Sequence, residues 1–409
     1  MVGKPYEWKI GAELEEHSRR KHKIVRQYFS RYLAVRCQRP QQARFRIAIV
    51  DGFAGAGAYN CGAPGSPLIF LQELEIATEA FNIKRAAEGM SPIDIECLLI
   101  FNDFNPDAIE ILKDRVEPII AASKDRLRRL HLKVQYFNDK FEAAYPDIKS
   151  LIERGNYRSV IFNLDQCGTS HVEYETIIDI CKSFTSAEIF YTFMITSLLA
   201  FLQRTDRAQL SRQLRPFGLT EDDLVNLDGV MNNKEWLGAA ERIVFNSFNR
   251  CAAYVSPFSI NNPDGWRYWF IHFANNYRAR QEYNNVLHEN ATMQAHFGRS
   301  GLNMLSYDPS HDGALYLFDP PGREDAKQQL HKDIPRLVTS FGDAIPVSEF
   351  YSSIYNSTPA HTDDVHAVII ENPDLEIFTE QGGERKRPNT IKPGDILRVK
   401  RQRSFPIFY

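Results

Sequence analysis

Apolar residues along the first half of the chain follow two alternating rhythms. Short continuous runs, Ile47 to Val50, Ile95 to Phe101, Leu132 to Phe137, Ser159 to Leu164 and Glu188 to Ile195, have the character of buried strands. Between them, Pro67 to Glu88, Asn105 to Ala122, Glu142 to Arg154 and Glu173 to Phe184 repeat apolar positions every three or four residues, as helices do. This alternation predicts a doubly wound, Rossmann-like α/β sheet, because parallel neighbours need crossover helices that cover both faces. Upstream, Ile24, Val25, Tyr28, Phe29, Tyr32 and Leu33 predict one more amphipathic helix, within a basic segment spanning 1–46.

Past the fifth run the pattern loosens. Residues 203–250 read as a helical insertion. Tyr254 to Ile260 and Tyr268 to Phe273 flank Asn-Asn-Pro-Asp-Gly, a turn signal that predicts an antiparallel hairpin closing the sheet edge. A helix from Ala279 to about Phe297 leads into 298–313, rich in Gly, Ser, Pro and Asp and expected to be a linker. The main domain is thus expected over 47–300. In 314–409, helices at Glu324 to Thr339, Val347 to Tyr355 and Thr362 to Glu371 precede Leu375 to Thr379 and a strand pair around Ile396 to Lys400 and Phe405 to Phe408. Helices followed by a basic hairpin predict a winged-helix-like α+β domain.

Composition narrows the functional classes. The 409 residues are 43% hydrophobic and 25% charged with a net charge of -3, which excludes a disordered chain and a protein that coats nucleic acid by bulk charge. Any polyanion site must be a local patch. Ten Lys or Arg and no acid fall between His17 and Arg46, and eight Lys or Arg against two acids fall between Glu384 and Arg403. The first is either a solvated face or a phosphate-contacting one, and the second could touch phosphates or serve protein contacts. Arg385, Lys386, Arg387, Lys400 and Arg401 are the candidate contacts in the second, and His17 and Lys21, four apart on one helix face, could line a crevice. The six cysteines lack paired metal or disulfide spacing, so no metal site is expected. Without an apolar leader in the first ten residues or a membrane-length apolar run, a cytoplasmic protein is expected.

The most informative segment is Ile49-Val50-Asp51-Gly52-Phe53-Ala54-Gly55-Ala56-Gly57-Ala58-Tyr59, a strand running into a glycine-rich turn. Gly52, Gly55 and Gly57 permit close backbone approach, and Asp51 can pair with a ligand's ammonium group. Ser66 and Pro67 then look like the cap and first turn of the next helix. Asp103 ends the second strand, where an acid would accept from ribose hydroxyls; Asn138 or Asp139, after the third, could hold an adenine amino group. Each taken singly is also a common loop cap. The fourth strand ends in Asp165-Gln166-Cys167-Gly168, where Asp165 could accept a proton and Gln166 could bond an amide or base edge. A lone Cys167 is more often a small buried residue than a nucleophile. His171 could cap the loop or face the cleft. Asp319-Pro320-Pro321-Gly322 lacks the aromatic residue of the Asp-Pro-Pro-aromatic motif and reads as a helix entrance.

The glycine segment, followed by Gly65-Ser66-Pro67-Leu68 and preceded by the helix carrying His17, Lys21 and Tyr28, resembles the three-Cys-motif partner (TcmP) family. The resemblance extends over most of the chain, including Trp266 to Phe270. It implies a class I methyltransferase-like fold with S-adenosylmethionine as ligand. Asp51, Gly52, Phe53, Gly55 and Gly57 would surround its methionine end and Asp103 its ribose. It also implies a radical-SAM-type three-cysteine protein as partner, in a phage or mobile-element setting. Where that family commonly has Asp-Pro-Phe-Gly, this chain has Asp165-Gln166-Cys167-Gly168, a departure at the substrate side. Methyl transfer to nucleic acid, or to an intermediate made by the partner, is the expectation. A non-catalytic nucleic-acid-binding partner or scaffold with an inherited core is the alternative.

Overall fold

The computed structural model describes residues 11–166, 171–194, 219, 243–256, 259–261, 267–290, 294–297, 315–317 and 320–400. The expected insertion over 203–250, the linker, Cys167, Gly168, Trp266, Asp319, Arg401 and 405–408 fall largely or wholly outside these residues.

Five strands and five helices alternate as the apolar rhythm predicts: α1 (Glu16–Arg36), β1 (Arg44–Asp51), α2 (Ser66–Ala87), β2 (Asp94–Asn102), α3 (Pro106–Arg126), β3 (Leu130–Phe137), α4 (Phe141–Arg154), β4 (Ser159–Leu164), α5 (Tyr174–Ser183) and β5 (Ser186–Phe193). β1 pairs in parallel with β2 and β4, β2 with β3, and β4 with β5. Every residue of β4 is buried, whereas edge strand β3 alternates between buried or half-buried and exposed positions over its first half. Because the chain leaves β3 and returns on the other side of β1, the carboxyl ends of β1 and β4 meet at a topological switch point.

β6 (Tyr254–Ser256) and β7 (Ser259–Asn261) both pair antiparallel with β8 (Arg267–Ala274), and β8 pairs antiparallel with β5. The expected hairpin therefore exists and extends the sheet beyond β5. The helix expected over 279–297 is shorter: α6 spans Tyr277–Glu289, and Gln294–Phe297 is a strand, β9, paired with β10 (Leu315–Leu317).

The chain divides into two compact units at Glu282 and Tyr283, earlier than the expected linker. The division falls inside α6 because residues from its second half are bonded within the second unit. Asn284 Nδ2 donates to Thr358 O at 3.0 Å, and Asn285 Oδ1 accepts from Thr362 N at 3.0 Å. In that unit α7 (Pro320–Ser340), β11 (Ala344–Pro346), α8 (Val347–Ile354) and α9 (Thr362–Glu371) precede β12 (Leu375–Phe378) and β13 (Ile396–Val399). α7 begins at Pro320, the helix entrance read from the sequence. β13 lies between β11 and β12, antiparallel to both, and the strand expected at 405–408 lies outside the described residues. Leu330, Ile334, Ile345, Phe350, Val368 and Leu397 form its buried interior. No described helix is long and apolar enough to cross a membrane.

Candidate functional site

The loop after β1 is fixed by its neighbours' side chains. Gly55 and Gly57 have φ of 58° and 82°, a region side chains disfavour. Asp103 Oδ2 accepts from Gly55 N at 2.8 Å, while its Oδ1 accepts from Asn105 N at 2.9 Å. Both carboxylate oxygens at the proposed ribose position thus already brace protein backbone. Burial raises the Asp103 pKa, and these two N–H groups oppose the rise. Arg115, from α3, donates to Ala56 O at 2.6 Å and Ala58 O at 3.1 Å, closing the loop's far side. Gly52 has a packing reason instead: a Cβ there would meet Leu164 Cδ2 and Phe141 Cδ2 at 2.8 Å. Phe53 lies half-buried against Phe141 and His171.

The three strand tips are cross-braced by one amide. Asn102, buried, donates through Nδ2 to Gly52 O at 3.1 Å and Asp139 O at 3.0 Å, and accepts from Asp139 N at 3.3 Å. Asn138 donates to Asp103 O at 2.8 Å and so holds the loop after β2. The Asp139 side chain is exposed, with Oδ1 accepting from Lys140 N. Next to Asp103 stands Phe104, an aromatic ring left 67% exposed. Its signal in the sequence was an aromatic residue directly after the strand-end acid.

Asp51 is enclosed. Its Oδ1 accepts from Asn163 Nδ2 at 3.2 Å, and Oδ2 reaches bonding geometry with no donor among the described residues. Burial pushes its pKa up to about 7, even though the Ser66 and Asn163 side chains and the Phe53 N–H lower it; the Asp165 charge adds to the rise. Gly65, and not the expected Ser66, is the cap of α2; Ser66 is its first residue, and its side chain lies close enough to Asp51 to lower that carboxyl's pKa.

At the end of β4, Asp165 and Gln166 part company. Asp165 Oδ1 accepts from the Lys21 ammonium of α1. Burial alone would raise the Asp165 pKa, but the Lys21 charge and hydrogen bond, helped by Thr192 and His22, hold it below the usual range. Gln166, expected to touch substrate, is buried and spent on the protein: Nε2 donates to Tyr191 OH at 2.7 Å and Oε1 accepts from His171 N at 2.9 Å. Beside the Lys21–Asp165 pair, burial lowers the pKa of both His17 and His22 to about 4, with Lys21 contributing to each. His17 Nδ1 lies 3.1 Å from Glu15 Oε2. His22 packs 5.6 Å from the Tyr59 ring in the glycine loop, and its Nδ1 is buried without a hydrogen-bond partner among the described residues. The amphipathic period of α1 registers His22 only as a polar position.

Most cations of the first basic stretch are paired with acids, and some of the second. On and after α1, Arg20 pairs with Glu16, Arg26 with Glu73, Arg31 with Glu282 and Arg46 with Glu96, while Lys23 and Arg39 are exposed. In the second unit, Arg385 makes a two-pronged contact with buried Asp395 at 2.9 and 3.0 Å, and Lys400 donates to Pro373 O at 2.9 Å. These two therefore serve the fold. Lys386, 3.6 Å from Glu384, and Arg387 are exposed. Among the described residues, no three His, Cys, Asp or Glu are grouped to hold a metal ion.

Two predictions follow from the charges. The folded-state pKa of Asp51 near 7 exceeds an unfolded value near 3.9, so between about pH 4 and 7 the folded protein holds a proton the unfolded chain has released. Stability therefore falls as pH rises through that window, by up to about 4 kcal/mol for this group. Asp51→Asn lacks that loss, and urea unfolding of both proteins from pH 4 to 8 should show the variant gaining on the wild type; parallel curves would contradict it. Lys21→Met strands the Asp165 carboxylate and should cost about 2–4 kcal/mol, while adding Asp165→Asn should recover more than half. A double-mutant cycle by urea denaturation reads this directly, and additive losses would dismiss the pair.

No family model matches the chain. No curated protein matches it either. Among solved structures it is similar to a loganic acid methyltransferase with SAH, at 10% identity and a TM-score of 0.24, over 95% of this chain and 97% of that one. A TM-score so low lends no weight to the fold or the chemistry, which rest on the strand order and the side chains above.

Proposed function

We propose that this protein binds S-adenosylmethionine at the carboxyl edge of its parallel sheet and acts as a methyltransferase. The observation that carries the reading is the enclosed Asp51 carboxyl, with one oxygen lacking a bonded donor, at the root of a glycine loop. A carboxyl poised near 7 gives up its proton readily when a cationic ligand arrives, and that ligand's charge offsets the burial cost. Asp103 supports the same reading less directly, by shaping the loop; exposed Phe104 offers an apolar face for a base, with Asn138 and Asp139 close by in the chain. The chemistry such a ligand supplies is an electrophilic methyl group, for which proximity and alignment are the main requirements. Calorimetry with S-adenosylhomocysteine and S-adenosylmethionine should show binding to the wild type. Asp51→Asn should bind the sulfonium form at least about tenfold more weakly, a loss of about 1.4 kcal/mol. Absence of heat with the wild type would remove the reading.

A second reading concerns residues from 320 onward. The order α7, β11, α8, α9, β12, β13, with β13 central in the sheet, favours a winged helix. α9, which would enter a groove, carries Asp363, Asp364 and Glu371 and no Lys or Arg, so contact with DNA or RNA falls to the exposed Lys386 and Arg387 between β12 and β13. The three-Cys-motif partner remains an implication of the sequence resemblance. If the β12–β13 segment touches phosphates, replacing Lys386 and Arg387 with Glu should weaken RNA or duplex DNA binding in filter assays and flatten its salt dependence. Equal retention by both proteins at every salt concentration would reject nucleic acid as its ligand.

A further inference from the structure

The cluster at the start of α1 goes unused by cofactor binding as argued above. It consists of His17, Lys21 and His22 on the helix, Asp165 at the tip of β4, Thr192 near the tip of β5, and Tyr59 in the glycine loop. These groups come from four separate segments and meet beside the switch point, on the side of Asp51 away from Asp103: the strand order β3-β2-β1-β4-β5 puts Asp103 on one flank of β1 and Asp165 on the other. Asp165 and Asp51 are close enough for the charge of one to raise the pKa of the other. The cluster therefore adjoins the place where a transferable group of a bound cofactor would end.

Its chemistry is specific. The Lys21 ammonium and the Asp165 carboxylate form a bonded pair, and the cluster also holds two imidazoles. Of these, His17 is near Glu15, whereas His22 lies against the glycine loop through Tyr59 and has an enclosed ring nitrogen with no partner among the described residues. An enclosed imidazole nitrogen without a partner costs stability unless something else bonds to it.

We propose that this cluster is the methyl-acceptor site, and that His22 takes the proton from an acceptor whose nucleophile is an O–H or N–H group. The inference rests on the cofactor reading above. In the step, the acceptor's oxygen or nitrogen forms a bond to the methyl carbon, the carbon–sulfur bond breaks, and its electron pair leaves neutral thioether on sulfur. The acceptor's proton passes to the His22 imidazole and then to water. Lys21, tied to Asp165, positions the acceptor side without itself exchanging a proton. Burial keeps His22 neutral at physiological pH, the form that can accept a proton. An acceptor with no dissociable proton, such as a thioether, has no use for this arrangement.

The test uses the full chain and two probes. S-adenosylhomocysteine calorimetry first establishes cofactor binding. An adenosine whose sulfonium arm is replaced by an aziridine is then added without any acceptor. Its protonated ring opens on attack by the nearest nucleophile, the ring carbon–nitrogen bond breaking and the imidazole nitrogen becoming alkylated. Peptide mass spectrometry should place the adduct on His22. His22→Gln should lose that adduct while binding S-adenosylhomocysteine within about twofold of the wild type, a difference under about 0.5 kcal/mol. A saturating aziridine probe that modifies another residue, or none, overturns the assignment of His22. Failure of the wild type to bind S-adenosylhomocysteine overturns the cofactor reading itself, and this inference with it. Should His22→Gln fold poorly by circular dichroism, His22→Asn takes its place, and the wild-type adduct position still decides the matter.

Discussion

A parallel sheet ends in a row of strand tips whose backbone groups have run out of ladder partners, and a crevice at that edge survives only if other groups satisfy them. Here that duty falls on short side chains. The Asn102 amide ties the loop after β1 to the loop after β3 and Asp103 secures Gly55 N, beside a main-chain bond from Gly52 N to the Asn163 carbonyl at 2.9 Å. Because these groups hold backbone, the glycine loop is set before any ligand arrives. Preorganisation of this kind reduces the ordering cost of binding. It also accounts for Asp51: with the surrounding amides committed to the frame, its Oδ2 is left without a bonded donor among the described residues, and the desolvation cost appears as a carboxyl that holds its proton.

The opening helix supplies the other half of the edge. α1 buries Ile24, Val25, Tyr28, Phe29, Tyr32 and Leu33 in the core, and Tyr28 OH donates to buried Glu188 on β5, which also meets His272 on β8. This apolar face determines where the helix lies, and the lie of the helix determines that Lys21 reaches Asp165. A cationic stretch that could have been a phosphate-binding surface has most of its charges paired with acids, several of them half-buried. Surface pairs of that type contribute little individually, but they leave few charges free to attract a polyanion.

Several readings from the chain hold and several shift, for reasons tied to particular residues. The α/β alternation is legible because buried strands and half-buried helices leave periodic apolar patterns. The antiparallel hairpin near 254–273 is legible from its turn residues. The strand at Gln294–Phe297 is not, since its few residues acquire their conformation from pairing with Leu315–Leu317. Gln166 and Arg385 look like ligand contacts by residue type, yet each finds a partner inside the protein, Tyr191 and Asp395 respectively. The exposure of the Phe104 ring and the unpartnered nitrogen of His22 are properties of surroundings, which spacing does not encode.

The amino-acid order alone therefore determines the alternation of elements through β5, the glycine turn after β1 and the acids at successive strand ends, all of which depend on neighbours a few residues apart. Tertiary structure decides which of those acids remain available and which polar groups share an edge. Lys21 and Asp165 are 144 positions apart in the chain, and Asp51 and Asn163 are 112 apart. Hydrogen bonding and desolvation act through space over a few ångströms, so the availability of a carboxyl or an imidazole depends on the segments folded against it. A local pattern records burial; it holds no record of the partner.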